Sequence, residues 1–231
     1  MNKEFRKYTI KTGDTLSAIS DRFYGSPNFV DKIMSYNNFL DQDSIFPNQQ
    51  IELPGIDQLE EPKIVIPNVT VKVPNGINEI IQTFGNLKEY ISRSGELSPR
   101  WNTDKLTTIR LPFPIKLSWD FKQTVTQITC HKKIAGTFYT VFEEIEDANL
   151  KSEIKSFGGA FTFRSKRKSN NFSTHSWGIA IDLNPLSNGM GTKGDMSPAV
   201  VAIFRKHGFK WGGDWTGAGC DPMHFQYCTG Y

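Results

Sequence analysis

The chain has 231 residues, room for one large domain or for a small module beside a medium one. Hydrophobic residues make up 38% and aromatic residues 13%, which supplies a core and argues against global disorder. The formal net charge of +3 is too small for a nucleic-acid binder, and no apolar run is long enough to span a membrane, so neither partner is expected. The densest basic run, Arg164 to Lys168, reads mostly as a solvated loop, and mild basicity suits an anionic polymer. The opening residues are polar and lack a signal stretch, so synthesis in a cytoplasm is expected. Cys130, Cys220 and Cys228 are an odd count, which excludes a full disulfide framework and predicts free thiols.

Residues 8–54 read as a compact unit. Tyr8 to Lys11 is a short strand. Asp14 or Thr15 caps a helix on which Leu16, Ile19, Ser20 and Phe23 share a face, and Gly25 ends it. A second helix runs from Phe29 to Tyr36 and stops at Asn37-Asn38; Ile45 to Asn48 turns into a strand from Gln50 to Leu53. Residues 56–71, with Pro62 and Pro67, read as a linker. The larger domain starts near Lys72. It is expected to hold a helix within Asn75 to Tyr90, a mixed segment from Trp101 to Lys116 with a rigid Pro112-Phe113-Pro114 turn, a strand at Val125 to Cys130 and a helix at Ala135 to Asn149.

The run from Tyr8 to Ser20, with Asn37-Asn38 and Ile45 to Ile51, resembles the LysM family over the whole first unit. That resemblance implies a βααβ fold that binds N-acetylglucosamine in peptidoglycan or chitin, in a groove between the loop after the first strand and the loop before the second. Mapped here, these are Gly13, Asp14, Thr15 and Leu16, and Ser44, Ile45, Phe46 and Pro47. Tight loops present backbone donors and acceptors to sugar hydroxyls, while Leu16 or Ile45 can meet the acetyl methyl.

The C-terminal half carries the chemistry. Ile179, Ile181 and Leu183 alternate with Ala180, Asp182 and Asn184; Met223, Phe225 and Tyr227 alternate with His224 and Gln226. Each of two strands thus has one apolar face and pushes one metal-capable side chain from the other. His175 arrives from the loop ahead of the first. A buried satisfied histidine, or an aspartate capping a turn, would account for either residue alone; two imidazoles and a carboxylate together are a common three-ligand set for catalytic zinc.

Ser173-x-His175-x-x-Gly178-x-Ala180-x-Asp182 followed by Asp221-x-x-His224 resembles the M15 family of zinc peptidases. Gly158 to Arg164, Gly208 to Trp215 and the stretch from Pro74 to Lys133 resemble its endolysin-like branch. The resemblance implies an α+β peptidase domain (the D-Ala-D-Ala carboxypeptidase/Hedgehog-like type) with an antiparallel sheet, over residues 72–231. It implies His175, Asp182 and His224 as zinc ligands, Asp221 as general acid/base, and Arg164 as the grip on a substrate carboxylate or scissile carbonyl. One departure stands out: an acidic residue often follows the last His-Phe pair, and this chain has Gln226. The expectation is a peptidoglycan hydrolase that cuts stem peptides, an L-Ala-D-Glu endopeptidase of phage or prophage type, reaching the wall by holin-type release or as a virion component. A D-Ala-D-Ala carboxypeptidase, or a wall-binding tail protein without activity, is the alternative. Trp177, Trp211 and Trp215 either line the cleft or pack the core; Asp214 either supports the site or makes a turn. His131 reads as structural, and His207 as the end of a helix begun by Ser197 and Pro198.

Overall fold

The computed structural model describes residues 6–25, 27–37, 39, 45–55, 71–166 and 169–231. They fall into two compact units, one within Met1–Val65 and one within Ile66–Tyr231. Of the expected linker at 56–71, all but Val71 lies outside the described residues, as does Ser44. Val71 already belongs to the larger unit: its carbonyl accepts the Tyr227 hydroxyl at 2.6 Å.

In the small unit, strand β1 (Arg6–Thr9) pairs antiparallel with β2 (Gln50–Leu53), from Arg6 opposite Leu53 to Thr9 opposite Gln50. Helices α1 (Leu16–Tyr24) and α2 (Val30–Asn37) lie between them in the chain. Thr15 is the α1 cap, its hydroxyl accepting from the Ala18 N–H, and Gly25 closes the helix in the left-handed region. Ile10, Leu16, Ile19, Ile33, Ile51 and Leu53 make the core. The Asn37 amide staples the end of α2 to β2, accepting from the Glu52 N–H at 2.7 Å and donating to its carbonyl at 2.8 Å.

The larger unit begins with α3 (Gly76–Phe84) and the short α4 (Arg100–Lys105). A hairpin follows, β3 (Leu106–Lys116) with β4 (Thr124–His131), and then α5 (Ala135–Asp147). The second sheet is antiparallel, in the order β5 (Phe157–Gly159), β6 (Ala180–Leu183), β8 (His224–Gln226), β7 (Lys210–Trp211). Helix α6 (Pro198–Lys206) packs under this sheet, its Phe204 ring stacked on Phe225 at 4.1 Å. Ser197 occupies the α6 cap position without a side-chain cap bond, and Pro198 supplies the first turn.

Pro112-Phe113-Pro114 is no turn. β3 runs straight through it, with a register shift between Arg110 and Ile115. Proline is tolerated there because β3 has one partner strand, and the irregular stretch does not need the missing donors. Among the described residues, no helix is long and apolar enough to cross a membrane.

Candidate metal centre

Asp182 on β6 and His224 on β8 are direct cross-strand partners, flanked by Ile181 opposite Phe225. Strand alternation sends Ile181, Leu183 and Phe225 into the core at 0% exposure and Asp182 and His224 to the other face. Ala180, opposite Gln226 on that same face, leaves room for the longer side chains. His175 comes from the 3-10 turn Thr174–Trp177, which Ser173 caps and Gly178 ends at φ 70°. Gly178 has no substitute: a Cβ there would lie 2.9 Å from Leu106 Cδ2 and 3.0 Å from the His131 N.

Three side-chain atoms converge. His224 Nδ1 lies 2.9 Å from Asp182 Oδ1, and His175 Nε2 lies 3.2 Å from each of them. The far ring nitrogens set the tautomers. His175 Nδ1–H donates to the Ala160 carbonyl at 2.5 Å, and His224 Nε2–H donates to Gln226 Oε1 at 3.1 Å. The Thr174 hydroxyl also donates to Gln226 Oε1, at 3.2 Å, and so holds the amide. In its neutral form each ring therefore turns a lone pair inward, and in its protonated form it donates from that same nitrogen to Asp182 Oδ1. Ligands bonded at about 2.0–2.2 Å to a tetrahedral ion sit roughly 3.3–3.6 Å apart, so the cluster fits such an ion with a small outward shift. His175, Asp182 and His224 are a group that could hold a metal ion.

The electrostatics favour a cation. Burial alone would push the Asp182 carboxyl up, yet hydrogen bonds from His175 and His224 outweigh it and hold it far below the usual carboxylate range. Burial likewise disfavours a charged His224, but the Asp182 bond and charge, with help from Gln226 and Asp221, raise its proton affinity. A buried carboxylate thus draws positive charge to this point, proton or metal.

The cluster lies at the wall of a cleft of about 480 Å³ lined also by Arg164, Lys166, Met190, Trp215, Asp221 and Tyr231. Asp221 is seated by backbone: its N–H donates to the Gly212 carbonyl at 2.9 Å, and its carbonyl accepts the His224 N–H at 3.0 Å. Gly212 permits this approach, since a Cβ there would meet the Asp221 carbonyl oxygen at 2.5 Å. Trp211 Nε1–H donates to the Pro222 carbonyl at 2.7 Å and pins the same loop. Arg164 is held by the turn that carries His175: its N–H donates to Ser176 Oγ at 3.0 Å, and its carbonyl accepts the Ser173 N–H at 2.9 Å.

Other expected residues separate cleanly. Trp215 lines the cleft, Trp177 is core at 1% exposure, and Trp211 does the pinning just described. Asp214 is ion-paired with Arg205 and with Lys210 and is absent from the cleft lining among the described residues. His131 caps a 3-10 turn, and His207 bonds Glu144 at 2.7 Å. The residues that sequence reasoning missed are Ala160, which acts through a carbonyl, and Ser176, Thr174, Lys166 and Tyr231. Thr174 and Ser176 flank His175 in the motif, Ala160 lies in the Gly158 to Arg164 run and Lys166 in the basic run, but none of these runs assigned them a role.

In the small unit, Ile10 exchanges backbone hydrogen bonds with Asn48 and Gln49, at 2.8 Å each, setting the two expected glycan loops side by side. Gly13, Thr15, Phe46 and Pro47 are exposed, and Ile45 is half-buried against the core. Leu16 is a correction: at 1% exposure its side chain is core, because it opens the inward face of α1, and it cannot meet an acetyl group. Asp14 is also spent locally, accepting from the Lys11 N–H at 2.9 Å and the Tyr8 hydroxyl at 2.7 Å, and so shapes the loop.

The larger unit is thus an α+β domain with a two-histidine, one-aspartate cluster that could hold a metal ion at the wall of a cleft. Residues 8–54 match the LysM domain family, and residues 167–227 match a peptidase M15 family described as D-alanyl-D-alanine carboxypeptidase. The chain therefore carries a LysM domain followed by an M15 peptidase domain. It is also 44% identical over 48 residues to an uncharacterized protein of Deinococcus radiodurans, covering 21% of this chain and 19% of that one. It is 45% identical over 49 residues to the potassium binding protein Kbp of Escherichia coli O6:H1, covering 20% of this chain and 33% of that one. The chain thus spans between a fifth and a third of the length of these curated relatives. No solved structure matches it.

Proposed function

We propose that this protein is a zinc-dependent peptidase of bacterial peptidoglycan that cuts stem peptides between L-Ala and D-Glu, held on the glycan by its LysM domain. One observation carries the reading: His175 Nε2, Asp182 Oδ1 and His224 Nδ1 lie 2.9–3.2 Å apart, and Asp182 and His224 line a cleft together with Asp221 and Arg164. When bound, zinc supplies Lewis acidity and makes a water nucleophile available near neutral pH. The chain's own residues do the rest. The Asp221 carboxylate takes the proton of the attacking water on one oxygen and returns it to the leaving amine. The Arg164 guanidinium offers a planar donor fork to a substrate carboxylate or to the scissile carbonyl. Ala160 and Gln226 keep both imidazoles in the ligating tautomer. The LysM domain raises the local concentration of substrate without any contact in the cleft. In this reading, residues 1–55 are the wall-binding module, 56–71 the linker and 72–231 the peptidase domain. The protein acts at the cell wall as an endolysin or a virion component of a bacteriophage.

A second reading is removal of the terminal D-Ala, favoured by the description of the family matched at 167–227. Mass spectrometry of digested peptidoglycan separates the two. New D-Glu amino termini support the endopeptidase, free D-Ala the carboxypeptidase, and an unchanged sacculus defeats both.

A further inference from the structure

The M15 motif gives no role to Lys166, the second cationic residue of the cleft. Lys166 lines the same cavity as Arg164, two positions further along the chain. Its backbone N–H donates to the Asn171 carbonyl at 2.7 Å, and its ammonium stands 3.4 Å from the centroid of the Tyr231 ring. That ring is itself fixed: the Tyr231 hydroxyl donates to the Phe172 carbonyl at 2.7 Å, and Trp177 packs edge-on at 5.9 Å. The ammonium is therefore held in place, half-buried, by a cation–π contact.

Charge decides what this means. Among the described residues, no ion pair joins Lys166 to a carboxylate, whereas Lys155 pairs with Asp195, Lys206 with Glu144 and Lys210 with Asp214. Its titratable neighbours are Cys228 and Tyr231, both pushed up to about 12 by burial and so neutral at physiological pH. Burial correspondingly lowers the lysine's own proton affinity. The anionic members of the cleft are Asp182, committed to two imidazoles, and Asp221. A half-desolvated cation with neutral neighbours costs free energy that an incoming anion recovers.

We propose that Lys166 is a second anion-binding group of the cleft, taking a carboxylate of the stem peptide in addition to the one gripped by Arg164. This rests on the peptidase reading above and deepens it: the preferred substrate is a stem with two free carboxylates, and amidation of one of them weakens binding. The source is either the α-carboxylate of the D-Glu residue or the carboxylate at the end of the stem.

The test uses the full-length protein and three tripeptides of the L-Ala-γ-D-Glu-L-Lys type: the free acid, the form amidated at the D-Glu α-carboxyl, and the form amidated at the C-terminus. Affinities are measured by calorimetry for wild type, Lys166→Met and Lys166→Arg. Methionine keeps an aliphatic stem over Tyr231 and removes the charge. Wild type is expected to bind the free acid roughly tenfold or more tightly than one of the amides, Lys166→Met to lose that ratio, and Lys166→Arg to keep most of it. The amide whose penalty disappears in Lys166→Met identifies the carboxylate that Lys166 takes. Equal affinity of wild type for all three peptides, no binding of any, or a ratio unchanged in Lys166→Met would overturn the proposal, and in the last case Lys166 only braces Tyr231. Hydrolysis is scored separately: selective binding without cleavage keeps this inference and removes the peptidase reading.

Discussion

Asp182 and His224 face each other across the β6–β8 ladder, and their Oδ1 and Nδ1 atoms lie 2.9 Å apart. Two of the three proposed ligands are thus fixed by strand register, and the third by a turn whose geometry depends on Gly178. Side chains carried on paired strands are placed more precisely than side chains on loops.

Removing one arm of the cluster is expected to remove the metal. His224→Ala purified beside wild type should lose stoichiometric zinc by elemental analysis, and chelation of wild type should lower its melting temperature, because the ion binds the folded state. Full zinc content in His224→Ala would end the assignment.

Gln226 stands where an acidic residue was expected, and its amide oxygen accepts the His224 Nε2–H. Gln226→Leu removes that acceptor and leaves the ring N–H only the Thr174 hydroxyl, 3.3 Å from His224 Nε2. Zinc affinity, read by competition with a chromophoric chelator, should fall about 10–100-fold. An unchanged affinity would show that Thr174 alone holds the ring.

Asp221→Asn keeps the shape of the side chain and removes its proton chemistry. Turnover on a soluble stem peptide should drop roughly 10²–10⁴-fold with zinc content unchanged. Loss of zinc instead would make Asp221 a ligand. Near-normal turnover would remove it from the reaction, and Asp214, committed to Arg205 and Lys210, is a poor replacement.

His131 supplies a pH signature of folding. Its Nε2–H donates to the Phe84 carbonyl at 3.0 Å and its Nδ1 accepts the Lys133 N–H at 3.2 Å, so the buried ring is neutral. Burial, reinforced by Lys133, Lys105 and Lys132, lowers its pKa from 6.5 to about 4. The unfolded chain takes up this proton at higher pH than the folded one. The residue's stability contribution is therefore full above pH 6.5 and declines as pH falls towards 4, by up to about 3 kcal/mol. Urea titrations across that window should show a shallower acid decline for His131→Asn than for wild type; parallel slopes would contradict this.

Phe46 is the exposed aromatic of the LysM loops, at 67% exposure. Phe46→Ala should weaken sedimentation with insoluble peptidoglycan and leave turnover of a soluble stem peptide unchanged. Equal sedimentation of both proteins would move glycan binding away from this loop.

Local pattern carried much of this protein. The order of strands and helices in residues 8–54 followed from helical spacing, a Thr15 cap and Gly25, all encoded within a few residues of each other. The alternation in 179–184 and 223–227 dictated that Asp182 and His224 leave the apolar face, since a strand's period is two whatever it packs against. Other facts depend on partners distant in sequence. The register that sets Asp182 against His224 joins residues 42 positions apart. The tautomer of His175 comes from a backbone carbonyl at Ala160, which no side-chain motif records. Leu16 followed its helical spacing into the core rather than the glycan role implied by the resemblance, and Pro112-Phe113-Pro114 became strand because pairing with a distant segment overrode the local reading. Trp177, Trp211 and Trp215 are alike in sequence, and only the packing around each decided which would face the cleft: periodicity fixes the direction in which a side chain leaves the backbone, and the tertiary fold fixes what it meets there.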